Sequence, residues 1–351
     1  MNGNTWYLII LLHLIPSIVY SVFFLLLVQT AIFVFKIKNP TARCFFYSLP
    51  LLKSFYSLVK GTDLVHLHIA KPLIAFKIYD PWHIWPWLQQ SWLHTRSPIF
   101  SSAVALGFII ALVIIIIRWI GLYFFYRALS RESEVTYKDA PQLFVTLSKL
   151  SKAFGLKNMP KVVLTHKKYA TPVIIGIINP TLVISPNLLH KLNSREVKML
   201  LAHELAHIKR KDNLLHWFIM GIRDFLFFNP LAHFIVRLII REKEKAADLL
   251  AVKTLDANPE SMVKVVSSVW WFLQERHLKP MPSGGTSLTT NQLEITKGKT
   301  THERIKWLRV FNKETNLSVS KLILYFVLLT IFYWIQLIIA FPFLNKLYII
   351  N

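Results

Sequence analysis

The sequence predicts an α+β, mostly α protein, with multi-pass membrane helices and an inserted domain built from a small sheet and a histidine-bearing helix. Three observations predict it. Apolar stretches with few or no charges, long enough to cross a bilayer, recur at both ends of the chain. Between them lies a segment rich in β-branched residues, flanked by helical patterns. Within that region "LLAHELAHIKRKD", residues 200–212, sets His203 and His207 four apart. Composition agrees with this reading. The 351 residues are 54% hydrophobic and only 17% charged, yet the formal net charge is +23. That pairing describes an integral membrane protein with basic flanks. Nucleic-acid binding is the competing reading of such a charge. No recognition motif accompanies it, so no nucleic-acid partner is expected. Cys44 is the one cysteine. No intramolecular disulfide can form, and a metal must rely on His and carboxylate ligands.

The membrane region is expected over residues 1–128. Met1 to Phe35 carries no charged residue, which places a first span at about 6–35 with Pro16 as a tolerated kink. No small-residue cleavage site follows a short apolar core, so this span is expected to be uncleaved rather than a signal peptide. "SPIFSSAVALGFIIALVIIII" gives a span at 97–117, and residues 321–351 form a C-terminal membrane segment with its span at Leu322–Asn345. "CFFYSLPLLKSFYSLV", residues 44–59, is a fourth candidate with Pro50 and Lys53 near its centre. Such a lysine is tolerated if it snorkels or faces other helices. If 44–59 crosses, the basic link "KIKNPTAR" and the basic stretch from Arg127 to Lys321 share one side of the membrane. The positive-inside rule therefore favours four spans, the N-terminus outside and the large domain in the cytoplasm, in an inner or plasma membrane. Residues 60–96 then form an outer segment with interfacial tryptophans, and His66, His68, His83 and His94 are read as interfacial rather than as a metal cluster.

The inserted domain is expected over 129–320. "YKDAPQLFVTLSKLSKAFGL" has helical spacing and stops near Gly155. "KVVLTHKKYATPVIIGIINPTLVISPNLL" is divided by Asn179-Pro180 into short runs that predict a small sheet. "SREVKMLLAHELAHIKRKD" is a helix with Ser194 as its expected N-cap. On that helix His203 and His207 project from one face and can take two corners of a tetrahedral zinc site, while Glu204 can act as general base on water. A pair of histidines in a basic helix can also be merely solvated or core residues. A third ligand is offered by "FIVRLIIREKEKAADLLAVKTL", where Glu244 and Asp248 stand four apart. Glu244 would complete two His and one Glu. Asp248 would accept the free N–H of a ligating histidine. The alternative is a solvated face in which Glu242, Glu244 and Asp248 pair with Lys243 and Lys245. "LLHWFIMGIRDFLFFNPLAHFIVRLII" reads as a buried or membrane-surface pair of helices, interrupted by Arg223, Asp224 and Arg237. Residues 277–300 read as a loop or lid from their Pro, Gly, Ser and Thr content.

"HELAHIKRKD" followed by "FNPLAHFIVRLIIREKEKAAD" resembles the gluzincin membrane proteases, whose third zinc ligand lies in a Glu-x-x-Ala-Asp motif. Within that group, "TPVIIGIINPTLVISPNLLHKLNSREVKMLLAHELAHIKRKD" is most similar to the protease part of the beta-lactam sensor-transducer metallopeptidases, which regulate antirepressors. The HtpX and CAAX prenyl protease relatives are close behind, and "THERIKWLRVF" is similar to the ending of their protease domains. Over Tyr137 to Leu308 the resemblance implies a zincin-like protease domain with one zinc ion. It implies His203, His207 and Glu244 as ligands, Glu204 as catalytic base and Asp248 as a hydrogen-bonding partner of the ligands. The sensor-transducers continue past their last span into an outer penicillin-binding domain, whereas this sequence ends at Asn351. The expectation is thus a protease without beta-lactam sensing of its own.

The expected reaction is zinc-dependent cleavage of peptide bonds in membrane or membrane-proximal protein substrates, in signalling or quality control. The substrate would lie extended beside Val173–Ile178 or Leu182–Ser185. His302 and Arg304 are candidates for stabilising the oxyanion or contacting substrate, with His166 and His233 behind them. The alternative is a membrane signalling or scaffold protein that holds zinc without proteolytic turnover.

Overall fold

In the computed structural model the described residues are 14–60, 98–129, 134–166, 172–275 and 299–310, with positions 320, 323–325, 327–328 and 330–331. The candidate histidines at 66, 68, 83 and 94, residues 277–298 of the loop or lid expected at 277–300 and most of the C-terminal span lie outside them, while Lys299 and Thr300 are helical rather than loop. Two apolar helices, α1 (Ile15–Val34) and α2 (Pro40–Lys60), form an antiparallel pair joined by the basic link. Pro16 falls in the first turn of α1, where a missing N–H is no loss. The fourth span candidate is α2. Its Lys53 lies over the ring of Tyr20 on α1, 4.6 Å from the centroid, so the charge faces a neighbouring helix.

The third helix, α3 (Pro98–Leu129), contains Ile109–Leu129, the one stretch among the described residues long and apolar enough to cross a membrane by length and composition. The sequence places the end of this span at Ile117, before Arg118. The structure carries the helix to Leu129, because Arg118 is not a free charge. It pairs with buried Asp224, which also accepts Trp119 Nε1 at 2.8 Å and Arg223 Nη2 at 2.8 Å. An ion inside an apolar helix is tolerated where a partner neutralises it.

The domain begins with α4 (Pro141–Ala153), which closes at Gly155 with φ +60° as its sequence predicts. Three short strands follow: β1 (Lys161–Leu164), β2 (Val173–Ile175) and β3 (Thr181–Ile184). The sheet order is β1-β3-β2, with β3 parallel to β1 and antiparallel to β2. Alternation sends Val162, Ile174, Leu182 and Ile184 into the helical core. Val163, Val173, Ile175 and Val183 face Leu122, Tyr126 and Leu129 of α3. Since β3 is paired on both sides, Leu182–Ser185 is not an edge that can receive another chain. The outer edge of β1 is partly taken by Glu134 and Val135. Among the described residues, β2 is the more open edge.

After α5 (Pro186–Lys191) comes α6 (Ser194–Arg210), which carries both histidines. Its N-cap is Asn193 rather than Ser194. Asn193 Oδ1 accepts from Arg195 N at 3.0 Å and Glu196 N at 2.9 Å, and Glu196 accepts from Asn193 N, closing a capping box. Lys211 takes φ +57° and α7 (Asp212–Phe225) starts at once, so the chain bends without a loop. α7 and α8 (Pro230–Thr254) form a helical hairpin. α9 (Pro259–Glu275) and α10 (Lys299–Val310) complete the domain.

α8 runs through two cores. Ala232, Ile235, Val236, Ile239 and Ile240 pack with α1, α2 and α7. Ala247, Ala251 and Val252 pack with α4 to α6, α9 and Leu308 of α10. Its N-terminus is tied down by Asn229, whose Oδ1 accepts from Leu231 N and whose Nδ2 donates to Ser21 Oγ at 2.8 Å and Ser54 Oγ at 3.2 Å. Ser17 and Ser54 bond to one another in the same buried knot. Asn229→Ala removes a helix cap and leaves buried hydroxyls short of a donor. It should lower stability by about 1–2 kcal/mol, read as a fall in the thermal unfolding midpoint in detergent.

Candidate metal centre

The site forms where α6 crosses α8. Histidines four apart on α6 turn their rings to the same side, and Glu244 of α8 meets them. His203 Nε2 and His207 Nε2 are 3.1 Å apart, with Glu244 Oε2 3.6 Å from the first and Oε1 3.7 Å from the second. Bonds of about 2.0–2.2 Å in a tetrahedron separate ligand atoms by roughly 3.3 Å. The three side chains therefore fit one ion, and all three are buried. Both Glu244 oxygens and both Glu204 oxygens lack a hydrogen-bond partner among the described residues. Buried carboxylate oxygens without donors are expensive, and a cation supplies what is missing. The donor set, two imidazoles and a carboxylate, suits zinc.

The far side of each imidazole is held as well. His203 Nδ1 lies 2.8 Å from Asp248 Oδ1, as the spacing of Glu244 and Asp248 suggests. His207 Nδ1 lies 2.7 Å from Asp212 Oδ2, a partner that sequence reasoning missed. Each carboxylate draws the N–H to Nδ1 and leaves the Nε2 lone pair toward Glu244. The signal for Asp212 was a carboxylate five residues after the second histidine, at a helix end. Its use depends on the left-handed Lys211, which no periodicity reveals.

Arg304 of α10 closes the cluster. Its Nε donates to Asp248 Oδ2 at 3.0 Å and its Nη2 to Asp248 Oδ1 at 2.7 Å, while Nη1 is 3.5 Å from Glu244 Oε2. The expected oxyanion contact is thus a guanidinium engaged by two carboxylates. His302 is exposed, and two residues along a helix put it about 200° around from Arg304. His166 is exposed too, and His233 sits in the first turn of α8, about 16 Å along the helix from Glu244. None of these three histidines joins the cluster. Lys243 is buried 3.9 Å from Glu244 Oε1, and the alternative of a solvated carboxylate face fails because Glu242, Glu244 and Asp248 are all buried.

Charge follows from burial and neighbours. Burial pushes the Glu204 carboxyl up to about 8, with Glu244 adding to the rise. Burial opposes charge on His203, but its bonds to Asp248 and Glu244 prevail and raise it to about 9. Burial lowers His207 despite Glu244 and Asp212. Burial would raise Asp248 and Asp212, yet Arg304 and His203 hold the first at about 2, while His207 and Arg210 do the same for the second.

A helix with the His-Glu-x-x-His pattern, joined by a glutamate from a second helix, is the arrangement of zinc-dependent peptidases. Residues 88–261, just under half of the chain, match the family described as BlaR1 peptidase M56. The chain is 33% identical over 97 residues to the regulatory protein BlaR1 of Bacillus licheniformis, covering 27% of this chain and 16% of that one. It is 34% identical over 91 residues to a protease HtpX homolog of Pelotomaculum thermopropionicum, covering 25% and 32%. Protease HtpX of Pseudomonas fluorescens is 27% identical over 156 residues, covering 43% and 52%. The resemblance read from the sequence is borne out. The chain matches only about a sixth to a half of the length of these relatives.

Two outcomes follow for metal binding. Asp212→Ala should weaken zinc affinity about 10–100-fold in a competition titration with a chromophoric chelator, by freeing the His207 ring. In the same titration, zinc affinity should rise with pH from 6 to about 9, because His203, raised to about 9, must lose its proton to bind.

Proposed function

We propose that this protein is a membrane-bound zinc endopeptidase that cleaves membrane or membrane-proximal protein substrates. The observation that carries the reading is the convergence of His203, His207 and Glu244 within ligand distance of one another, next to a buried Glu204 with no other partner. A structural zinc site has no use for such a glutamate. The similarity of residues 88–261 to a peptidase family supports the same reading.

Zinc held by the three side chains would supply Lewis acidity and bring the pKa of water toward 7. The remaining work falls to the chain itself. Glu204 takes a proton from the attacking water and passes it to the leaving amine nitrogen. Its raised pKa in the protein alone makes it a ready proton carrier, and a dication beside it would pull that value down and favour the ionised base. Asp248 and Asp212 fix the two rings, and Arg304 fixes Asp248. The substrate lies extended along β2, whose open edge is next to α6 and offers backbone hydrogen bonds. The biological role assigned is signalling or membrane-protein quality control, from a site on the cytoplasmic side.

The test is cleavage of a membrane-protein panel by purified wild type and Glu204→Gln in detergent, with zinc content measured in both. The proposal expects one zinc in each and activity only in wild type, reduced by at least a thousandfold in the variant. Retained activity would sink the role of Glu204. Zinc in both with cleavage in neither would favour a scaffold without turnover.

A further inference from the structure

The turn between β2 and β3, "GIINP", carries two isoleucines that no packing explains. Ile178 is 89% exposed and Ile177 50% exposed. Turn tips usually carry Gly, Pro, Asn, Asp or Ser. This one is pinned, since Gly176 has φ +85° and a Cβ there would meet Asn179 O at 2.6 Å. The isoleucines are therefore presented on a fixed turn.

Its place in the fold shows what they meet. Asn213 Nδ2 donates to Gly176 O at 2.7 Å, and Arg210 Nη1 donates to Thr41 Oγ1 at 2.9 Å. The turn, the bend between α6 and α7, and the start of α2 thus lie at one level. Val173 and Ile175 of β2 pack on Leu122, Tyr126 and Leu129, the last turns of the stretch of α3 long enough to cross a membrane. Leu214 and Phe218, four apart on α7 and so on one face of that helix, are exposed as well. Lys36 and Lys38 in the link before α2, Arg127 in the last turn of α3 and Lys211 at the bend are exposed cations on the elements that meet at this level. Apolar tips with cations on the adjoining elements are the chemistry of an anionic lipid surface.

We propose that Ile177 and Ile178 insert into the acyl region of an anionic bilayer at its interface, with Lys36, Lys38, Arg127 and Lys211 meeting the headgroups. The turn then holds the open strand β2 at the membrane surface. This rests on α3 crossing the bilayer and on nothing at the metal centre. It deepens the proposed function, because a segment that pairs with β2 must lie at the membrane surface.

The single cysteine makes the test direct. In a Cys44→Ser background, nitroxide labels are placed by Ile178→Cys, by Ile114→Cys on the exposed middle of α3, and by Lys264→Cys on α9 as a water reference. The full chain goes into vesicles of phosphatidylcholine with phosphatidylglycerol, and power-saturation EPR compares collision with oxygen and with a water-soluble nickel chelate. The expected result is oxygen-favoured collision at 178 and 114, and nickel-favoured collision at 264, with the oxygen-to-nickel ratio at 178 at least threefold above that at 264. Nickel access at 178 with lipid exposure at 114 overturns the proposal while α3 remains a span. Nickel access at both removes the span and the proposal with it. Because Cys44 is buried, a benzophenone amino acid at 178 in the otherwise unchanged chain provides a second readout. Crosslinks to phospholipid support insertion, and crosslinks only to a second copy or a peptide overturn it.

Discussion

Asp212, Glu244 and Asp248 lie within 4 Å of two imidazoles, and Glu204 is buried beside them in sequence, in an interior of leucine, isoleucine and alanine, each at most 5% exposed. A low-dielectric interior accepts such charges only where cations and donors face them. Arg304 answers Asp248, and Arg210 and His207 answer Asp212. Glu244 is left with Lys243 at 3.9 Å, Arg304 at 3.5 Å and no hydrogen bond among the described residues. The rest of the arrangement follows from that imbalance. A cation held by Glu244, His203 and His207 would supply the missing compensation.

Holding that geometry is the task of α8. The helix is anchored at Asn229 among the serines of α1 and α2, and about 22 Å along its axis it delivers Glu244 to α6. Below Glu244 it belongs to the core shared with the apolar helices, and above it to the core of the domain. The ligand set is therefore assembled across the seam between the two. The pairing of Asp224 with Arg118 fastens α7 to α3 at the other end of the same hairpin, so the metal centre is braced against three apolar helices. That position suits chemistry at a membrane.

How much was legible in the sequence depended on how local each signal was. His203, Glu204 and His207 are one helical turn, and Glu244 with Asp248 is another, so spacing alone put them on matching faces. The small sheet and the helix stop at Gly155 were legible from composition and turn residues. The partner of His207 was not, because it depends on one left-handed residue, Lys211, at the junction of two helices. The true role of Arg304 was hidden for another reason. It comes from 56 residues beyond Asp248, and only the packing of α10 on α8 and α9 shows that its fork is spent on carboxylates. That α3 runs on to Leu129 was not legible because a charge in an apolar run signals a boundary unless its partner is known, and Asp224 is 106 residues away from Arg118.

The central claim is that α6 and α8 together make a two-histidine, one-glutamate zinc site. X-ray absorption at the zinc edge of the purified protein tests it most directly. The account predicts a first shell of about four nitrogen or oxygen ligands near 2.0–2.1 Å, with outer-shell scattering from two imidazoles. A sulfur ligand near 2.3 Å, which Cys44 alone among cysteines could supply, or a shell of oxygens without imidazole, would contradict it.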